Sequence, residues 1–359
     1  FFPVFYFILY KTKLGIKLMD SFSKKKRLVK LFSSISIYVG FGGMLLICFL
    51  LVYNLYKVVF VPSVTSGVAL VLPVKVKGAF FVPFFYWIIS IVVIASVHEF
   101  CHGWVARHHN IKIKSSGFAF LALFLPIVPA AFVEPDEKQL ARKKKKQQLQ
   151  VFAAGPFSNI LLGFFFLALF GLVGSHIVEA VMDFQGVSIT TIANDSVLLP
   201  LNISVNDSII AVDNINTTYI EDFKKIMENK SAGQQILLST NKGNYSVILG
   251  KNPKNASKGY LGVTVSQNKK IKQEVLKEYG VFLPNAAVWV VGLFFWLYVL
   301  NLGIGIFNLV PVGPVDGGRM LFVGLQKYFT REKAQRISSW VSFFFLVIIV
   351  LNIVVGFLK

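Results

Sequence analysis

His98, Glu99 and His102 stand within five residues of one another in the segment HEFCH. Residues four apart share one face of a helix, so the two imidazoles can converge on one ion with the glutamate beside them. That is the H-E-x-x-H zinc pattern, in which two histidines hold the metal and the carboxylate handles protons. The run that carries it, IISIVVIASVHEFCHGWVARHH at 88–109, is otherwise largely apolar, a setting in which polar side chains are expensive. The plainer alternative is a His/Glu cluster that caps a helix at the membrane edge. A catalytic zinc site takes three protein ligands and keeps one open position, so a third ligand is needed at the same depth. Asp316 qualifies. It follows an apolar, inward-running segment and lies in the turn PVGPVDGG, too rich in Pro and Gly to be helical throughout. Its alternative role is to cap the next helix, since DGG is also turn chemistry. Glu134 and Asp136 are rivals beside a lysine run that can pair them. Asn308, eight residues before Asp316, could donate a hydrogen bond to a substrate carbonyl or developing oxyanion, or could bridge helices.

The elements that must position these groups are membrane spans. Mean hydropathy is +0.65 and aromatic residues reach 15%. Several mostly apolar runs exceed eighteen residues, the length at which a run reads as a transmembrane helix. The composition predicts a polytopic α-helical membrane protein. Lys and Arg number 37 against 17 Asp and Glu, but they collect in short loops between apolar runs, as the positive-inside rule expects, so the charge argues for a lipid bilayer and not for nucleic acid. Cys48 and Cys101 are the chain's only cysteines and both sit in apolar context, which leaves no disulfide framework and no cysteine metal site.

Residues 1–80 hold FFPVFYFILY, too short for a span and read as the tail of a truncated helix. A basic loop follows, with eight Lys or Arg between Lys11 and Lys30, then a span at 33–60 and an outer connector or short hairpin. Residues 81–175 hold the HEFCH helix, ending on the cytoplasmic side with Arg107, His108 and His109 at the interface, then IKIKSSGFAFLALFLPIVPAAFV. Gly117, Pro126 and Pro129 interrupt that second run and its flanks are basic. It is expected to dip in and return as a re-entrant β-loop beside the metal helix, offering an edge to an extended substrate. The basic run Arg142–Lys146 precedes an outward span at 151–174. Between 184 and 268 hydrophobic runs shorten and strand-like pieces appear: GVSITTIA, DSIIAVDN, QQILLST and YSVIL, with IEDFKKIMEN as a helix. Seven N-x-[ST] sequons, at Asn194, Asn202, Asn206, Asn216, Asn229, Asn244 and Asn255, all fall there, which agrees with an extracytoplasmic place. Residues 283–359 re-enter along a span at 283–310, turn at Asp316 and leave along 337–358.

The chain resembles the site-2 protease family of intramembrane zinc metalloproteases, its archaeal members especially. HEFCHG at 98–103 fits the family's metal-helix motif and NLVPVGPVDGG at 308–318 its N-x-x-P-x-x-x-x-D-G pattern, while AAGPFSN at 153–159 resembles its G-P-x-x-N segment. Residues Lys112 to Glu134 resemble its membrane re-entrant β-loop, and 184–268 resemble an inserted PDZ domain, with Asn206 where many PDZ domains carry glycine. The resemblance implies a polytopic α-helical membrane protein with an inserted α+β PDZ-like extracytoplasmic domain. It implies one Zn²⁺ held by His98, His102 and Asp316 near the cytoplasmic face, with Glu99 as general base. The implied activity is hydrolysis of peptide bonds within or near transmembrane segments of membrane-anchored protein substrates, as in regulated intramembrane proteolysis. The PDZ-like module could take a peptide or protein ligand, or screen clients by bulk. Two other readings compete: an inactive zinc-binding scaffold, which has no use for Glu99, and a transporter, which the large asymmetric insertion and lack of inverted repeats count against.

Overall fold

The computed structural model describes residues 5–13, 15–61, 67–76, 78–123, 125–253 and 255–358. The chain divides into two compact units, Phe1–Val173 with Gly292–Lys359, and Gly174–Val291. Among the described residues, five helical stretches are long and apolar enough to cross a membrane: Lys26–Phe60, Phe84–His108, Lys145–Val181, Phe282–Phe307 and Arg331–Leu358.

The first unit opens with strand β1 (Phe5–Thr12), the short helix α1 (Ile16–Ser23) and the long helix α2 (Lys26–Phe60). The described part of the opening stretch, from Phe5, is therefore a strand and not the tail of a helix, residues 1–4 lying outside the described ones: aromatic and branched residues favour extended backbone, and β1 finds an antiparallel partner over its eight residues. The connector after α2 holds β2 (Leu70–Leu72) and β3 (Ala79–Phe81), which pair in parallel, so it is not a simple hairpin; residues 62–66 lie outside the described ones. Helix α3 (Phe84–His108) follows. It ends in a left-handed residue, Asn110 at φ 54°, with Asn110 N–H donating to Arg107 O and Ile111 N–H to Ala106 O, both at 3.0 Å. This closure satisfies the last carbonyls of the helix, and fully buried Ile111 anchors its end.

Strands β4 (Ile113–Leu123) and β5 (Leu125–Pro135) form an antiparallel hairpin, and the sheet order is β1-β4-β5. One edge of β4 is thus taken by the chain itself, which leaves β5 as the strand facing α3. A single turn, α4 (Glu137–Ala141), is capped by the Asp136 carboxylate, which accepts from Gln139 N–H at 3.0 Å. Helix α5 (Lys145–Leu169) then crosses α3 at a run of small residues, Ala153, Ala154 and Gly155, which lets the two backbones approach. Their shared core includes Trp104, Val105 and Ala106 of α3 and Val151, Ala153 and Ala154 of α5.

A π-helical turn, Phe170–Gly174, carries α5 into α6 (Ser175–Val181), so the apolar helical stretch is longer than the expected 151–174. The second unit is a six-stranded antiparallel sheet of order β10-β9-β7-β6-β13, with β8 paired to β7. Its strands are β6 (Met182–Ile192), β7 (Ser208–Val212), β8 (Ile215–Asn216), β9 (Gln235–Thr240), β10 (Gly243–Ile248) and, after a separate pair β11 (Gly250–Asn252) and β12 (Asn255–Tyr260), β13 (Val263–Ile271). Helix α7 (Ile220–Glu228) lies between β8 and β9 in sequence, and its Phe223 joins Ile189, Ile209 and Leu238 in the core. Asn206, at the position where many PDZ domains carry glycine, adopts φ 75°, a left-handed backbone that asparagine tolerates. Asp213 and Asn214, at φ 50° and 62°, make the two-residue turn between β7 and β8, the geometry that matches strand twist. Helix α8 (Gln273–Tyr279) closes the insertion. Helices α9 (Phe282–Phe307), α10 (Asp316–Leu325) and α11 (Arg331–Leu358) complete the chain.

Candidate metal centre

On α3 the four-residue spacing brings His98 Nε2 and His102 Nε2 to 3.0 Å of each other. Asp316 Oδ2 lies 3.0 Å from the first and 3.2 Å from the second. The three side chains are 10%, 12% and 12% exposed. Outside the triangle, His102 Nδ1–H donates to the Val151 carbonyl at 2.7 Å, and His98 Nδ1 is 3.0 Å from the side-chain amide of Asn159. With its Nδ1–H given to the carbonyl, His102 turns Nε2 inward, toward a second imidazole nitrogen and a carboxylate oxygen. Three such donor atoms converging with little water around them can hold a cation between them. The separations are close to ~3.3 Å, the edge of a tetrahedron with zinc–ligand bonds of ~2.0–2.1 Å. The donor set, two imidazoles and one carboxylate, fits Zn²⁺ with one position open.

Main-chain packing sets Asp316 at this point. Gly317 N–H donates to Asn308 O at 2.8 Å, and Gly318 N–H to Val315 O at 3.1 Å. A Cβ on Gly317 would lie 2.3 Å from the Leu309 and Val310 carbonyl oxygens, and one on Gly318 2.6 Å from Gly313 N. Only glycines let the turn fold this tightly on the start of α10, whose first residue is Asp316. A carboxylate in a first helical turn also gains from the exposed N–H groups there.

Glu99 has a carboxylate oxygen within 4.8 Å of the two histidine ligand atoms. Its Oε2 accepts the backbone N–H of Val133 on β5 at 2.9 Å, so the hairpin fixes the carboxylate's direction. Both groups line a cavity of about 310 Å³, whose walls also include His102, Asn308, Asp316 and Arg319. A larger cavity of about 920 Å³ shares Phe132, Val133, Phe152 and Arg319 with it. The Arg319 guanidinium sits 5.6 Å from the centre of the Phe152 ring.

The other sequence candidates do not join this cluster. Arg107 pairs with Asp20, His108 Nδ1 lies 3.4 Å from Ser23 O and His109 Nδ1 3.4 Å from Gln147 Nε2. Glu134 accepts from Ser115 Oγ at 2.6 Å, and Asp136 caps α4. Sequence reasoning missed two contributors, the Val151 carbonyl and the Val133 N–H, and quoted Gly155 and Asn159 only within AAGPFSN, without giving either a role. Gly155 and Asn159 had a signal, a glycine and an amide four residues apart in an apolar run. A Cβ on Gly155 would lie 2.3 Å from His102 Nε2 and 2.6 Å from His98 Nε2.

A Methanocaldococcus jannaschii protein named only as uncharacterized is 28% identical over 313 residues, covering 86% of this chain and 74% of that one. A Fusobacterium nucleatum protein named "putative zinc metalloprotease" is 23% identical over 279 residues, 64% of this chain and 79% of that one. Among solved structures, the PDZ domain of an SdrC-like protein from Listeria monocytogenes is similar to part of the chain, with 16% identity, a TM-score of 0.21 and coverage of 23% of this chain and 87% of that one. The family model for Peptidase family M50 matches residues 86–351, from α3 through most of α11, and the chain belongs to that family, the site-2 protease family.

Proposed function

We propose that the protein hydrolyses peptide bonds within or beside transmembrane segments of membrane-anchored proteins, as a zinc-dependent intramembrane peptidase. M50 peptidases are zinc-dependent metalloproteases, and the observation that carries the reading to this chain is the convergence of three ligand atoms at 3.0–3.2 Å on the cavity that Glu99 also lines. His98, His102 and Asp316 would hold the zinc. A bound zinc ion acidifies water and polarises a carbonyl, which matters most where bulk water is scarce. Glu99 is the general base: it takes the proton of the attacking water and hands it to the departing amide nitrogen as the C–N bond breaks. Val133 N–H holds that carboxylate toward the cavity. Asn308, which lines the same cavity, would donate to the substrate carbonyl.

A substrate helix hides its carbonyls in its own hydrogen bonds and must unwind before it is cut. Strand β5 supports that step, since β1 already covers β4 and β5 is the strand beside Glu99; an unwound client adds to a sheet edge through main-chain hydrogen bonds. We read the β4–β5 hairpin as re-entrant, the metal site as near the cytoplasmic face and the 184–268 module as PDZ-like and extracytoplasmic, from the basic loops between spans and the clustered sequons.

The test is incubation of the detergent-solubilised protein with a panel of single-span peptides, with and without a zinc chelator and with zinc restored. Cleavage that the chelator stops and zinc restores is expected. Zinc-loaded protein that binds these peptides and leaves them intact would favour a scaffold instead.

A further inference from the structure

Asn159 is wholly buried on α5. Its amide lies 3.0 Å from His98 Nδ1, and its carbonyl oxygen is buried with no hydrogen-bond partner. A buried amide is expensive unless its groups are satisfied. Among the described residues, then, the one hydrogen-bonding contact that Asn159 makes through its side chain is with the histidine ring.

That ring has a fixed job to prepare for. His98 Nε2 faces Asp316 Oδ2 and His102 Nε2, both at 3.0 Å, so Nε2 is the atom that points at the ion. A ring that coordinates through Nε2 carries its proton on Nδ1, and that N–H must donate outward. The atom waiting there belongs to Asn159. An amide can turn either end to a neighbour with little change of shape, and the two ends are told apart by what they face. Facing an N–H, it is the oxygen that turns inward. The same helix serves His102 in the same way through the Val151 carbonyl. Val151, Gly155 and Asn159, spaced four apart on one face of α5, thus supply an acceptor, a gap and an acceptor beneath the two rings.

We infer that Asn159 is the positioning residue for His98: its side-chain oxygen accepts the Nδ1–H, fixes the ring's tautomer and rotation, and aims Nε2 at the metal. This rests on His98 being a zinc ligand. Partners of this kind set ligand orientation and basicity, and their loss typically costs ~10–100-fold in metal affinity.

The experiment measures zinc affinity by competition with a chelating dye in detergent, together with the absorption spectrum of the cobalt-substituted protein. Wild type is compared with Asn159→Leu, which keeps the volume and removes the acceptor, and Asn159→Asp, which keeps the acceptor. Zinc affinity is expected to fall ~10–100-fold in Asn159→Leu, with an altered cobalt spectrum, and to stay at the wild-type level or tighter in Asn159→Asp. A folded Asn159→Leu protein with affinity within about twofold of wild type overturns the inference, because a packing role alone would survive leucine. If Asn159→Leu does not fold, the aspartate variant decides: a folded Asn159→Asp protein that binds zinc more than about tenfold weaker also overturns it. A wild-type protein that takes up no zinc would instead overturn the reading of the site itself, together with the inference.

Discussion

The fit between α5 and the histidine rings can be tested with a single methyl group. In Gly155→Ala the new Cβ would lie 2.3 Å from His102 Nε2 and 2.6 Å from His98 Nε2, where ordinary contact begins at 3.4 Å. The rings must therefore retreat by roughly 1 Å, several times the ~0.2 Å that zinc–ligand bonds tolerate. Neither ring can move freely, since His102 is tied to the Val151 carbonyl and both share one helix. At least one ligand is expected to leave. Zinc affinity should then fall by at least ~10²-fold, or about 2.7 kcal/mol, beyond the ~1–3 kcal/mol that overpacking alone takes from the fold. The assay is dye-competition titration of zinc in detergent beside metal analysis of the purified protein. Gly171→Ala, whose Cβ would meet nothing within 4 Å, is the control and should bind zinc normally. A folded Gly155→Ala protein with wild-type zinc affinity would show that α5 does not press on the ligand rings, and the geometry argued for the site would fail with it.

Four further outcomes are expected. Glu99→Gln should keep its zinc and lose at least ~10²-fold in peptide cleavage, because the amide keeps the shape but accepts no proton; near-normal turnover would point to another base. Asp316→Ala should lose both zinc and activity, read by metal analysis, whereas unchanged zinc content would remove Asp316 from the ligand set. In the second unit, the Lys230 ammonium and then Leu237 N–H hold the Asp213 carboxyl below its ordinary value of 3.8, at 2.6 and 2.7 Å. A depressed folded pKa stabilises above the unfolded value and is lost as pH falls through the folded one, so this contribution should be complete above about pH 4 and fade below it. Asp213→Ala should remove it, lowering hydrogen-exchange protection of β7 and β9 by about 1–2 kcal/mol at neutral pH, and protection equal to wild type would count against the turn's role. Finally, a cysteine at exposed Asn229, with Cys48 and Cys101 replaced by alanine, should react with a membrane-impermeant reagent from outside; labelling only from the cytoplasm would invert the topology.

What the sequence made legible follows from which interactions are local. The spacing of His98 and His102 is a property of one helix, and apolar length alone marks the five spans, so both could be read without a partner in view. Boundaries were harder: α2 begins at Lys26 and not at 33, because helical hydrogen bonding runs on through basic residues after hydropathy has fallen. The opening FYFILY was weighed by its length when its residue types, all comfortable in a strand, were the better guide; its partner, β4, lies more than a hundred residues away. Asn159 was visible as part of a motif, but its contact with His98 spans 61 residues and depends on how α3 crosses α5. No periodicity carries that information. The twist of the Asn206 backbone and the turn at Asp213 were likewise decided by neighbours across the sheet.

The tight turn before α10 has a consequence for how this protein can vary. Asp316 owes its place to bonds and contacts of the main chain: N–H groups on carbonyls, and two glycines with no side chain to intrude. Main-chain geometry is largely indifferent to which side chains hang from it. The apolar residues at 309, 310, 312 and 315 can therefore drift among shapes of similar volume while the carboxylate stays where the imidazoles need it, and the glycines cannot drift at all. Mutational tolerance around Asp316 should be sharply uneven, with volume-conserving changes accepted at the valines and leucine and none at Gly317 and Gly318. On α3 and α5, by contrast, the histidine rings depend on side-chain and helix-face fit, so the two halves of this candidate site would age under mutation by different rules.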